Sequence, residues 1–156
     1  LLVGTTGALQ SDIEIGDTVV ATGAAKDEGT TKRYEAATVP AVPDYGTLSA
    51  LVESAEAREA PVHVGPIATD DAFYAETDAH VEAWSEAGLL CVEMEAAALF
   101  TLARRKGLAA GAICTVDGNL IEGTQKGETD DEELPETAKD NVERAIDIAL
   151  DAATRL

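Results

Sequence analysis

The densest chemistry in the chain is Glu93-Met94-Glu95, two carboxylates around one methionine. The apolar run Leu89 to Val92 ends abruptly on them, and an Ala- and Leu-rich stretch with helical periodicity follows. A buried strand that stops at two acids and turns into a helix places both at the carboxyl end of a sheet, where open α/β sheets bind ligands. The competing explanation is electrostatic, because acids at a helix start complement its dipole. Phe73-Tyr74 follows a second apolar run through Thr69-Asp70-Asp71. Such a pair stacks on a flat ligand or plugs the structure locally. Asp117 closes a third apolar run, Ala109 to Val116. Gly4-Thr5-Thr6-Gly7 reads as a small-residue loop after a strand, able to hold an anion through amides and hydroxyls, though an ordinary loop is the simpler reading. These clusters together suit a small polar ligand with one flat apolar part.

Other candidates are weaker. His63 alternates with valines and reads as a packing residue, and Lys32-Arg33 as surface charge. The acid run Asp130 to Glu133 lacks the spacing of an EF-hand, so a solvated surface is favoured over a divalent-metal site.

The elements that must position these residues alternate between strand and helix. Strands are expected at Leu1–Val3, Thr18–Gly23, Val62–Thr69, 89–92 and Ala109–Val116. Asp27 to Tyr34 reads as a mobile polar loop, and Pro40-Ala41-Val42-Pro43 as an extended connector. Asp44 caps a helix with Leu48, Leu51, Val52 and Ala55 on one face. A short helix carries Val81 and Trp84, and a helix over 95–106 ends in Arg104-Arg105-Lys106 before Gly107. Residues 122–136, with Gly123 and Gly127, read as a loop; Pro135 opens a last helix whose buried stripe is Val142, Ala145, Ile146, Ala149, Leu150 and Ala153. The expectation is one α/β domain over 1–156, a central mixed β-sheet flanked by helices.

Composition narrows the class. The 156 residues carry 30 acids against 11 Lys and Arg, a net charge of −19, which argues against nucleic acid and anionic membranes as partners. Acids along the whole length suggest a halophilic protein kept soluble where salt screens self-repulsion. Cys91 and Cys114 lie inside apolar runs, so buried thiols of a reducing cytoplasm are expected rather than a disulfide, and no CxxC spacing suggests zinc. No apolar run approaches membrane-spanning length. The opening Leu1-Leu2-Val3-Gly4 reads as the inside of a strand, so an N-terminal portion is expected to be missing.

Several segments, in order, resemble the nucleoside phosphorylases of the uridine phosphorylase and hexameric purine nucleoside phosphorylase type. They are Gly4-Thr5-Thr6-Gly7-Ala8, Gly16-Asp17, Pro40-Ala41-Val42, Asp71-Ala72-Phe73-Tyr74, Val92-Glu93-Met94-Glu95-Ala96-Ala97 and Ile113-Cys114-Thr115-Val116-Asp117-Gly118. The resemblance covers nearly the whole chain and implies phosphorolysis of a ribonucleoside, either uridine or a 6-oxopurine nucleoside, to free base and ribose 1-phosphate. The transition state of that reaction puts positive charge on the sugar and negative charge on the leaving base, so it calls for anions near the sugar and a donor near the base. The resemblance gives Glu95 the ribose 2′- and 3′-hydroxyls, packs Met94 on the sugar and lines the sugar and base region with Glu93. It gives Thr5 a phosphate contact and has Phe73 stack on the base with Tyr74 supporting it. A protonated Asp117 would donate to purine N7. It also implies inorganic phosphate as co-substrate, no organic cofactor, no catalytic metal, and a homohexamer or other homo-oligomer.

Three departures qualify what is implied. Leu2 stands where the family has a phosphate-binding Arg, and Gly118 where other purine branches carry their Asp. The window Ala75-Glu76-Thr77-Asp78-Ala79 lacks the Gln-x-Arg with which uridine phosphorylases read uracil. A nucleosidase, with water replacing phosphate, and a non-catalytic nucleoside-binding protein are the alternatives.

Overall fold

In a computed structural model of the chain, residues 1–58, 61–124 and 136–156 are described. The acid run Asp130 to Glu133, Gly127 and Pro135 lie outside them. Among the described residues, five strands, β1 (Leu2–Ala8), β2 (Thr18–Asp27), β3 (Val62–Asp70), β4 (Cys91–Glu93) and β5 (Ala112–Asn119), are joined with α1 (Tyr45–Glu56) after β2, α2 (Asp78–Glu86) after β3, α3 (Ala96–Lys106) after β4 and α4 (Glu136–Ala153) after β5. The sheet is mixed, as expected, but it is not open. It closes in the order β1-β4-β3-β2-β5, with β1–β5, β2–β3 and β3–β4 parallel and β1–β4 and β2–β5 antiparallel. Closure leaves few strand edges to aggregate.

Local chemistry sets the helix ends. The Asp44 carboxylate accepts from the Thr47 amide at 2.9 Å and so caps α1. That bond, followed by one from the Thr47 hydroxyl, holds its carboxyl below the ordinary 3.8. Thr77 caps α2, and α3 ends on Gly107 at φ 66°, a left-handed position that glycine adopts without strain. Two cores flank the barrel wall. Phe100 and Ala97 of α3 pack on Ile67 and Val116, while Leu51 of α1 and Ile148 of α4 pack on Val20 and Ile113. A smaller cluster joins Trp84 to Leu9, Leu89 and Val92.

Five expectations are corrected. Gly4-Thr5-Thr6-Gly7 is not a loop: it lies within β1, paired with β5. Asp117 does not follow its strand but sits inside β5, and β4 is only Cys91–Glu93. The Asp27–Tyr34 segment is anchored rather than free. The carboxylate of Glu28, 3 % exposed, accepts from the amide and the hydroxyl of Thr31. Just beyond, Glu35 receives Lys26 at 2.6 Å and Arg104 at 2.7 Å. The buried stripe of α4 is Ala138, Ala145, Ile148, Ala149 and Ala152, leaving Ile146, Leu150 and Ala153 exposed. The buried face of the helix is thus rotated from the expected one.

Candidate active site

The Glu93-Met94-Glu95 segment divides between a buried acid and two exposed residues. Glu93 is 5 % exposed, and its carboxylate is fully engaged. One oxygen accepts from the Thr69 hydroxyl at 2.5 Å. The other accepts from the amides of Glu95 and Ala96, both at 2.8 Å. Those amides open α3, so Glu93 performs the helix-cap role that the dipole favours. The Thr69 hydroxyl in turn accepts from the Ala97 amide at 3.0 Å, tying β3 to the same helix start. Burial raises the Glu93 carboxyl above its ordinary value, against these bonds, which lower it. Glu95 and Met94 are exposed, and among the described residues no side chain hydrogen-bonds the Glu95 carboxylate.

Asp117 owes its place to a bulge. In the β1–β5 ladder Thr6 pairs with Val116 and Gly7 with Gly118, so Asp117 is the extra residue. A bulge re-aims a side chain that regular alternation would send elsewhere. On β1, the Thr6 hydroxyl donates to the Val92 carbonyl at 2.6 Å, whereas Thr5 is half-buried. β1 pairs with β4 only at Gly7 and Ala8, and residues on both sides of the gap beyond that pairing line one cavity of about 630 Å³.

Every site residue expected from the sequence faces this cavity: Thr5, Phe73, Tyr74, Glu93, Met94, Glu95 and Asp117. Phe73 and Tyr74 form a 3₁₀ turn after β3, ring centroids 5.2 Å apart at 88°. Tyr74 is 99 % exposed and touches Phe73 only edge-on. Leu2 and Cys114 also face the cavity. Burial pushes the Cys114 thiol well up and Cys91 up to about 12. Among the described residues no Lys, Arg or His lines the cavity. Its ionisable lining is acidic: Glu76, Glu93, Glu95 and Asp117.

Sequence reasoning passed over Glu76 and Thr69. Glu76 follows the Phe73–Ala75 turn directly and lines the same cavity. Thr69 carried no local signal, because its partner lies on another strand.

Residues 1–154 match the family model described as the phosphorylase superfamily. The chain belongs to that superfamily. It is 65 % identical, over its whole length, to a guanosine phosphorylase of Halorubrum lacusprofundi. It is 33 % identical, again over its whole length, to the uridine phosphorylase of Escherichia coli. Over 96 % of its length it is 33 % identical to a DeoD-type purine nucleoside phosphorylase of an Exiguobacterium species. The chain spans 65 %, 64 % and 62 % of these three superfamily proteins respectively. The solved structure of a P. knowlesi homologue of P. falciparum PNP shares the fold at a TM-score of 0.80, with 23 % identity over 97 % of this chain and 61 % of that one.

Proposed function

We propose that this chain carries the nucleoside side of a phosphorolysis site, with guanosine or another 6-oxopurine nucleoside as substrate. One observation carries the reading. Glu95 from the α3 start, Phe73 from the turn after β3 and Asp117 from the β5 bulge meet in one cavity of about 630 Å³. The 65 % identity to a protein named guanosine phosphorylase supports the choice of base.

In this reading the base stacks on Phe73 with Tyr74 behind it, and Glu95 accepts from the two ribose hydroxyls. Met94 packs on the sugar beneath. As the glycosidic bond breaks, the carboxylate charge complements the cationic sugar, and Asp117 is the group that would hand a proton to N7 of the leaving base. Glu93 acts through the helix it caps, holding Glu95 in place. Thr5 and the amides of its strand are the phosphate contacts this chain offers. No organic cofactor or catalytic metal is needed, and dialysis against EDTA is expected to leave activity intact. A homo-oligomer, up to a hexamer, and a reducing cytoplasm belong to the same reading. The exposed Tyr74 and Met94 at the cavity and the buried thiols Cys91 and Cys114 support it.

Hydrolysis is the second reading, favoured by the absence of basic residues among those described around the cavity, where Leu2 stands instead. The deciding experiment is base release from guanosine, inosine, adenosine and uridine by the full-length protein in molar salt, with and without phosphate. Release that requires phosphate establishes phosphorolysis; release without it establishes a nucleosidase. No release from any of them, with a nucleoside still bound, leaves a binding protein.

A further inference from the structure

Asp71 heads the Asp71-Ala72-Phe73-Tyr74 segment, of which the proposed function uses only the two aromatics. The β2–β3 ladder ends at the pair Asp27 and Asp70. One step further, an Asp71 carboxylate oxygen accepts from the Gly29 amide at 2.6 Å, so a side chain continues the pairing where the backbones part. Phe73 stands two residues beyond. None of Phe73, Tyr74 and Ala75 is buried, so the turn is not anchored in a core. The Ala72 amide donates to the Asp70 carboxylate at 3.0 Å and the Ala75 amide to the Ala72 carbonyl at 2.7 Å. Such local bonds shape a turn without setting where it stands against the barrel. The other end of the Asp71 tie is firm. Buried Glu28 accepts from the amide and hydroxyl of Thr31, and Asp27 accepts from the indole N–H of Trp84, a core residue, at 3.0 Å. Asp71 itself stays outside the cavity that Phe73 lines.

We infer that Asp71 is a positioning residue, holding Phe73 in place at the cavity by tying the turn after β3 to the segment after β2. The consequence falls on binding rather than on bond breaking. A platform held in place costs a ligand nothing to order. One that wanders is competent only part of the time, and the apparent affinity falls by that fraction. Once the ligand is bound, the platform is in place in either case. A hydrogen bond to an ionised acceptor, discounted for its exposure, changes that fraction by about five- to tenfold. The inference rests on the proposed function only in giving Phe73 a ligand.

The test compares the full-length protein with Asp71→Ala and Asp71→Asn, on guanosine in molar salt with phosphate. Asp71→Ala should raise KM about five- to tenfold and leave kcat within about twofold. Asp71→Asn keeps an oxygen that accepts from the Gly29 amide, so it should bring KM back to within about twofold of the parent. A merely structural role would instead reduce the active fraction and lower kcat at constant KM. That result, an unchanged KM, or an Asn variant as impaired as the Ala variant would overturn the inference. Hydrogen exchange at the Gly29 amide reads the tie without any ligand. It should be slow in the parent and in Asp71→Asn and faster in Asp71→Ala, and equal exchange in all three would also overturn the inference. Calorimetry with guanine separates this inference from phosphorolysis. A protein that releases no base, yet binds guanine more weakly as Asp71→Ala and normally as Asp71→Asn, would sink the phosphorolysis reading and leave this one standing.

Discussion

Glu93 and Glu95 are two residues apart and stand in opposite environments, one buried and one exposed. Glu95 is exposed, and among the described residues no side chain hydrogen-bonds its carboxylate. Glu95→Ala is expected to leave the melting temperature unchanged while kcat falls by roughly a hundredfold or more, the scale of removing one preorganised electrostatic contact. A large fall in melting temperature would make the residue structural. Glu93→Ala should do the reverse first. It strips three accepted hydrogen bonds from the start of α3 and from Thr69. Urea unfolding should show a loss of about 2 kcal/mol, the worth of a helix cap plus a buried unmet donor. At this scale the sequence was legible where apolar runs stop at acids. It could not say which acid is buried, because Glu93 is held by Thr69 on a strand 24 positions away.

Strand and helix positions followed from periodicity and caps, as at Asp44 and Gly107, but the pairing of strands did not. The bulge that exposes Asp117 and the closure of the barrel are long-range matters with no local signature. Close approach between elements is equally silent in the sequence. A Cβ on Gly65 of β3 would lie 2.7 Å from Cδ1 and 3.0 Å from Cγ of Leu90. Gly65→Ala is therefore expected to destabilise by about 1–3 kcal/mol, the range for overpacking a filled site, measured by denaturant unfolding. The segment after β2 makes a pH prediction. Lys26 and Glu35 side chains are 4 % and 7 % exposed, and Arg104 of α3 joins them. The hydrogen bond from Lys26, then that from Arg104, holds the Glu35 carboxyl below its ordinary 4.5, outweighing burial. As pH falls the unfolded chain takes up this proton first. The stabilisation is thus complete above the ordinary value and is lost as pH drops through the lower, folded one. Glu35→Gln should lower the melting temperature at pH 7 and flatten its decline between about pH 5 and 3. An equally steep decline would mean that other carboxylates govern acid unfolding.

At the scale of the whole molecule, charge decides the conditions under which the fold and its cavity work. A net charge of −19 on 156 residues opposes compaction, and the cavity lining adds acids rather than relieving them. The screening length falls from about 10 Å at 0.1 M salt to about 3 Å at 1 M, so molar salt removes most of this repulsion. Melting temperature and activity are both expected to rise from dilute buffer to molar KCl. Salts also strengthen apolar burial, so a rise alone does not identify charge as the cause. The exposed face of α2 separates the two effects. Asp78, Glu82 and Glu86 stand there at successive intervals of four, a row of like charges on one helix face. Glu82→Lys converts both repulsive pairs into attractive ones without touching the core. Each pair is worth about 0.2–0.5 kcal/mol and the sign reverses twice, so stability in dilute buffer should rise by about 1 kcal/mol. The same variant should gain less from added KCl than the parent, because it begins with less repulsion to screen. Equal salt responses would assign the effect to apolar burial and leave the acid load without a role in stability.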